Sequence, residues 1–513
     1  MNSYMEIDIL EQEYWWGGTV QDGVSMPYTK TNFKRDLSKE QLYNQSVPIL
    51  LSNKGRYVWC EEPFSFSFID NKLIITSNSS DIIVSSGHEN LRGAFLDASG
   101  KYFPPDGKYP DQLMFTAPQY NTWIEMMYEP TQEKVLAYAK AIIDNGMPPG
   151  ILIIDDNWQE DYGVWSFHPG RFPQPKAMIA KLHEMGFKVM LWICNFVSAD
   201  SLTARTIDKL GYLVKNQAGK AAMVEWWNGR SAMLDLTREA ALEWFKLQLN
   251  SLMLNYGVDG FKFDAGDLAH FSDSFILSKA INGNQYSEAW GKIGLDYELN
   301  EYRACWKLGG KALAQRLSDK SHCWELINGL GSLIPNGLAQ GLMGYAFTCP
   351  DMIGGGEYLN FLENSNNLDK ELIIRNVECA ALFPMMQFSA APWRVLDKEQ
   401  LNICVEMAKL HVRFSDRIVE LAKEASKTGE PIIRHMEYVF PGNGYEKIID
   451  QFMLGDKILV APVLKKGATS RSIVFPRGKW IGDDKTVVQG PCTITVDAPI
   501  ERLPWYEKVD TSI

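Results

Sequence analysis

No run of the chain approaches the ~18–20 consecutive apolar residues needed to cross a bilayer as a helix. No membrane-spanning helix, and no membrane partner, is therefore expected. Basic residues are not in excess: 51 Lys plus Arg stand against 63 Asp plus Glu, a net charge of −12. Such a surface repels phosphate backbones, so nucleic acid is not an expected partner. Histidine is scarce, seven in 513 residues, and none is paired as HExxH. None of the eight cysteines is spaced CxxC, and no Cys/His cluster has zinc-ligand spacing. No metal is expected, and the thiols read as reduced and mostly buried. No GxGxxG or Walker string opens a helix, which counts against nucleotide binding. The first residues, MNSYMEIDILEQEYWW, have neither a basic start nor an apolar core. As written they are not a signal peptide, and a cytoplasmic location is the expectation, with a periplasmic or secreted one open if a signal was removed. Internal repeats and low-complexity tracts are absent.

What is present belongs to a folded, globular chain: 46% hydrophobic and 22% charged residues. The length suits three or four ordinary domains, or one large barrel with attachments. Aromatics make up 12%, with 16 Trp and 21 Tyr. Most will pack cores, but their flat faces also suit sugar rings. Residues 1–118 show short β-rich stretches (FSFSFI, KLIITS, DIIVSS) punctuated by turn residues, and read as an N-terminal β-sandwich. From 119 to 426 short apolar strands alternate with amphipathic helices. Asn121–Met126, Gly150–Ile154, Lys188–Cys194 and Asp259–Asp264 read as strands, with Cys323–Ile327 and Gly344–Thr348 as further ones. Repeated β-then-α over this length predicts an α/β fold, a (β/α)₈ TIM barrel. Residues 427–513 turn β-rich again and form a C-terminal β domain.

Catalytic side chains of such a barrel stand at the C-terminal ends of its strands. Three ends are conspicuous. The strand GILII runs into Asp155 and Asp156, adjacent carboxylates that accept hydrogen bonds from a polar ligand or else form a turn or helix cap. The strand DGFKF ends in Asp264. Lys262, two residues earlier, faces the same way, and an ammonium there favours an ionised carboxylate. A barrel-interior ion pair is the alternative. The third segment, GYAFTCPDMIGGG, carries Asp351 after a proline and before glycines that let backbone approach a ligand, or that merely make a flexible turn. Two carboxylates on different strands point to glycosidic bond cleavage, one attacking the anomeric carbon and one protonating the leaving oxygen. That chemistry needs no cofactor.

The order β-sandwich, barrel, β domain, with DGFKFDAGD and a later PDMIGGG, resembles glycoside hydrolase family 31 across essentially the whole chain. FHPGRFPQPKAMIAKLHEMGFKVMLWI and QFMLGDKILVAPV also look like that family. The resemblance implies a retaining enzyme for α-linked sugars, with Asp264 as nucleophile and Asp351 as general acid/base, their carboxyl groups roughly 5–5.5 Å apart. Lys262-x-Asp264 and IDDNWQ resemble the α-galactosidase-like branch, where paired aspartates hold galactose hydroxyls. The α-glucosidase pattern places an arginine in the strand before the acid/base and a histidine after PFFR. Here Cys323–Gly329 reads CWELING, and Ser389 falls where that histidine would stand.

The expectation is therefore an exo-α-galactosidase acting on an α-galactoside oligosaccharide or glycoconjugate. Open alternatives are a family enzyme for another α-glycoside (glucose, N-acetylgalactosamine or xylose), a transglycosylase, and a non-catalytic sugar-binding protein. Further candidates for the sugar site are Trp192, which walls the sugar or is buried in the barrel, and one of Trp226 and Trp227. Cys349, two residues before Asp351, could admit the axial face of the ring. Tyr14-Trp15-Trp16-Gly17-Gly18 could form the rim or lie in the sandwich. The sequence does not specify linkage, aglycone or oligomeric state.

Overall fold

A computed structural model describes residues 3–29, 32–38, 44–78 and 81–509. The N-terminal region is a sandwich of two antiparallel four-stranded sheets. One is ordered Ser3–Asp8, Lys72–Ser77, Phe64–Ile69, Phe33–Asp36; the other Trp15–Thr19, Ser46–Ser52, Arg56–Cys60, Ile82–Ser85. Alternation sets the faces of Phe64–Ile69: Phe64, Phe66 and Phe68 point into the core and the serines between them do not. Strand Ser46–Ser52 is buried at every position, because the barrel covers its end. Ser46 N donates to Cys305 O at 2.9 Å, and Gln45 Nε2 to Arg316 O at 3.0 Å.

The bulge at Gly17 and Gly18 turns the chain from this sheet toward the barrel. Gly17 has φ +128°, and a Cβ there would meet Ile49 O at 2.2 Å, so only glycine fits. The 3₁₀ turn Val20–Ser25 follows. The region is not wholly β: helix Leu91–Tyr102 leaves the sandwich, capped by Asn90 Oδ1 accepting from Gly93 N at 3.0 Å. Its two glycines blur the helical period in the sequence, while Leu91, Ala94, Phe95 and Ala98 still bury one face.

The barrel sheet is parallel and closes on itself. Its strands are Gln119–Asn121, Ile151–Ile154, Lys188–Ile193, Gly260–Phe263, Leu299–Tyr302, Gln315–Arg316, then Thr348–Cys349 with Met352–Ile353, and Gln387–Phe388. The seventh strand is broken at Pro350 and Asp351. Its first half pairs with Gln315–Arg316 and its second with Gln387–Phe388, which pairs with Gln119–Asn121. Asp351 sits in that break with φ +83°.

Three strand expectations are corrected. Gly344–Thr348 is strand only at its last residue, the observed segment being Thr348–Cys349. Asn121–Met126 is a strand only to Asn121, whose Oδ1 accepts from Trp123 N at 2.9 Å and turns the chain into the short helix Trp123–Met126. Cys323–Ile327 is loop, and the sixth strand lies upstream at Gln315–Arg316.

The C-terminal sheet is antiparallel and six-stranded, ordered Ile433–Arg434, Phe452–Leu454, Ile458–Val460, Trp505–Val509, Ser470–Gly482, Val487–Asp497. Met453, Leu459, Phe475, Trp480 and Tyr506 form its core. Buried Arg375 of the barrel donates to Ala468 O at 3.0 Å and Ala498 O at 2.9 Å, fixing this domain in place.

Candidate active site

A cavity of about 420 Å³ opens at the C-terminal ends of the barrel strands. Asp155, Asp156, Trp192, Trp227, Lys262 and Asp264 all line it, as do Arg303, Asp319, Trp123 and Tyr358. Gln21, on the 3₁₀ turn, brings the N-terminal domain to the mouth. Trp15 and Trp16, expected as a possible rim, are buried in the sandwich.

Asp264 follows strand Gly260–Phe263 and keeps 13% of its side chain accessible. Its Oδ2 accepts from Trp192 Nε1 at 2.9 Å; its Oδ1 accepts from Arg303 Nε at 3.0 Å and from Ala265 N at 2.9 Å. Burial alone would raise its pKa, but Arg303, then Lys262 and Arg316, hold the carboxyl well below the usual range. It is ionised at any working pH. Trp192 is buried: its ring packs in the barrel while its indole N–H holds the carboxylate.

Lys262 makes its direct ion pair with Asp155, Nζ to Oδ2 at 2.6 Å, and acts on Asp264 only through space. Asp156 accepts from Asn228 Nδ2 at 2.7 Å and from Tyr162 OH at 3.1 Å. Burial, with the Asp155 charge adding, raises its pKa to about 7 despite those hydrogen bonds. Of the tryptophan pair, Trp226 is buried and Trp227 lines the cavity, 41% exposed, with the Arg303 guanidinium 5.5 Å from its ring centre.

Two site expectations are corrected by position. Asp351 does not line the cavity; its side chain is 1% exposed and both oxygens are occupied. Oδ1 accepts from Arg316 Nη1 at 2.5 Å and Oδ2 from Lys320 N at 2.8 Å. Burial, partly countered by Arg316, raises its pKa to about 6. The broken strand turns Asp351 inward beside the sixth strand instead of up into the cavity. Cys349 is likewise inside the barrel, against Gln387 Nε2 at 3.8 Å, with no path to a sugar.

Asp319, with 40% of its side chain exposed, does line the cavity on this side, as does Glu357, whose Oε2 accepts from Asn360 N at 2.7 Å. Arg316 Nη1 donates to Asp319 Oδ1 at 2.7 Å and also contacts Asp351, while Arg316 Nε reaches buried Glu301 at 3.2 Å. One guanidinium thus ties three carboxylates together. Cys323–Gly329 holds no arginine, but Arg316 on the sixth strand stands beside both Asp319 and Asp351. Arg303, Arg316 and Asp319 were not singled out from the sequence. An Arg-x-x-Asp spacing in AQRLSDK was the available signal. Among the described residues no group of three or more His, Cys, Asp or Glu could hold a metal ion.

Comparisons with known proteins agree with this architecture. Residues 113–420 match the family model described as Glycosyl hydrolases family 31 TIM-barrel domain, and residues 429–513 the family 31 C-terminal domain. The chain is 33% identical over 409 residues to mouse (Mus musculus) Myogenesis-regulating glycosidase, covering 78% of this chain and 57% of that protein. It is 25% identical over 418 residues to Alpha-glucosidase 2 of Bacillus thermoamyloliquefaciens, covering 75% and 51%. The chain therefore spans little more than half the length of these relatives. The solved GH31 dextranase of Flavobacterium johnsoniae superposes with a TM-score of 0.86 at 21% identity, over 99% of this chain and 66% of that one. The chain belongs to glycosyl hydrolase family 31.

Proposed function

We propose that the chain is a retaining exo-α-galactosidase that uses Asp264 as nucleophile and Asp319 as general acid/base. The observation that carries this reading is the pairing of an ionised, donor-held Asp264 with an exposed Asp319 on the wall of one cavity. Asp264 attacks C1 while Asp319 protonates the departing oxygen, leaving a β-linked glycosyl ester. Asp319, now a carboxylate, takes a proton from water, which attacks C1 and releases an α-configured sugar. Asp351 is not the acid in this reading. With Arg316 it positions Asp319.

The galactose assignment rests on the wall opposite Asp319. Asp155, held by Lys262, and Asp156, held by Asn228 and Tyr162, offer acceptors on one side of the pocket. An axial O4 directed at that side meets a carboxylate, and aromatic faces at Trp123 and Trp227 bound the ring. A glucoside reading has one observation in its favour, the Arg316 that the α-glucosidase pattern asks for. Initial rates on p-nitrophenyl α-galactoside, α-glucoside, α-xyloside and α-N-acetylgalactosaminide separate the sugars. NMR of the first-formed anomer tests retention. Preference for the galactoside with initial release of the α-anomer supports the reading; initial β-anomer release would refute the retaining mechanism.

A further inference from the structure

Asp264 is held asymmetrically. Its Oδ1 carries two donors, Arg303 Nε at 3.0 Å and Ala265 N at 2.9 Å, whereas among the described residues Oδ2 carries one, the Trp192 indole at 2.9 Å. Arg303 is in turn gripped from its other edge by Asp267: Nη1 to Oδ1 at 3.0 Å and Nη2 to Oδ2 at 2.7 Å. This bidentate fork is buried, the Asp267 side chain being fully covered. The local sequence builds it. Ala265 at φ +58° and Gly266 at φ +76° are both left-handed, so the chain reverses after Asp264 and brings Asp267 back to the same guanidinium. At Gly266 a Cβ would meet Trp290 Cδ1 at 2.2 Å, so the turn admits no side chain.

We propose, building on the nucleophile assigned above, that the Asp267–Arg303 pair is a positioning device that makes Oδ2 of Asp264 the attacking oxygen and Oδ1 the spectator. In the first step a lone pair on Oδ2 bonds to C1 as the bond from C1 to the leaving oxygen breaks, that oxygen taking the proton of Asp319. In the second step the oxygen of water bonds to C1 and its proton goes to Asp319. The C1–Oδ2 bond breaks, and its electron pair returns to the Asp264 carboxylate, where it is shared with Oδ1. Arg303 meets the charge that reappears on Oδ1, so its effect falls most on this second step. The depressed pKa of Asp264 is in keeping with the same contact.

The test is the lifetime of the covalent adduct formed from 5-fluoro-α-galactosyl fluoride, followed by intact-protein mass spectrometry, in wild type, Arg303→Gln and Asp267→Asn. Arg303→Gln should prolong the adduct about tenfold or more and lift the acid limb of kcat/KM into the ordinary carboxylate range, about pH 4. Asp267→Asn should shift both in the same direction by less, and it decides the matter if Arg303→Gln does not fold. A merely structural pair would slow adduct formation and breakdown together and leave the acid limb in place, which would overturn the proposal. If wild type forms no adduct on Asp264, the nucleophile assignment falls and this inference with it. An adduct of unchanged lifetime in both variants overturns this inference alone.

Discussion

Lys262 Nζ lies 2.6 Å from Asp155 Oδ2, with both side chains buried, so the ammonium makes its direct ion pair with the second strand's carboxylate and not with Asp264 two residues along. Asp264 draws its own direct counter-charge from Arg303, which follows the fifth strand Leu299–Tyr302. The cavity thus holds two separate ion pairs, Lys262–Asp155 and Arg303–Asp264.

That pairing gives Lys262 a structural role. Lys262→Met would leave Asp155 buried and unpaired, which costs about 3–5 kcal/mol. The expected result is a large fall in melting temperature with loss of galactoside turnover. The double variant Lys262→Met/Asp155→Leu should regain much of the stability and none of the activity, since no charge is then left unpaired. Thermal denaturation followed by circular dichroism, together with the aryl-glycoside assay, reads both.

Asp319 and Asp351 are distinguished by leaving group. Asp319→Asn should nearly abolish cleavage of substrates that need protonation yet retain the first step on α-galactosyl fluoride, whose leaving group needs no acid. Azide should rescue the second step and yield α-galactosyl azide, identified by NMR. General acid/base removal is worth roughly 10²–10⁴-fold. Asp351→Asn should lower stability and slow all substrates alike, with no azide rescue, because Asp351 touches Arg316 and Lys320 N but not the cavity.

Asp156 gives the unliganded protein a pH-dependent stability of defined sign. Its pKa rises from 3.8 to about 7 on burial, so the folded state binds this proton more tightly than the unfolded chain does. The stabilisation is complete below about pH 3.8 and is lost as pH climbs through about 7. Asp156→Asn removes this dependence. Between pH 4 and pH 7 wild type should lose stability relative to the variant by on the order of 1–4 kcal/mol. Asp351, raised to about 6, shifts both proteins equally and cancels in the difference. Parallel urea-denaturation midpoints across that range would contradict the assignment.

Trp227 is the aromatic wall least committed to packing, being 41% exposed. Trp227→Ala should raise KM for the galactoside roughly tenfold, about the 1.4 kcal/mol of one good aromatic contact, with melting temperature nearly unchanged. Trp192→Phe should act differently. It keeps a ring but removes the indole N–H from Asp264 Oδ2, so kcat falls more than KM rises.

Much of the cavity's lining is legible in the sequence. Asp155, Asp156 and Asp264 each follow a short apolar run, and strand ends of that kind are where barrel chemistry collects. Period-two spacing put Lys262 and Asp264 on one face, correctly, but could not say that a carboxylate from the neighbouring strand would claim the ammonium. The fifth strand is hard to read from sequence because LNEY followed by Arg303 looks like exposed loop. Its polar groups are buried and satisfied across the barrel: Glu301 by Arg316 and Gln387, Asn300 by Ala314 N. The sixth strand is two residues long, too short for any period to register. Asp351 drew attention for a sound local reason, a proline and glycine-flanked aspartate at a strand break. The direction in which that break turns the side chain depends on Arg316 and Lys320, residues distant in sequence.

The most direct measurement is turnover of p-nitrophenyl α-galactoside beside the α-glucoside, for wild type and Asp264→Ala. Asp264 as the nucleophile of an α-galactosidase predicts that wild type prefers the galactoside and that the substitution removes its cleavage. Galactoside turnover that survives Asp264→Ala would contradict it, and the attacking carboxylate would have to be sought elsewhere in the cavity.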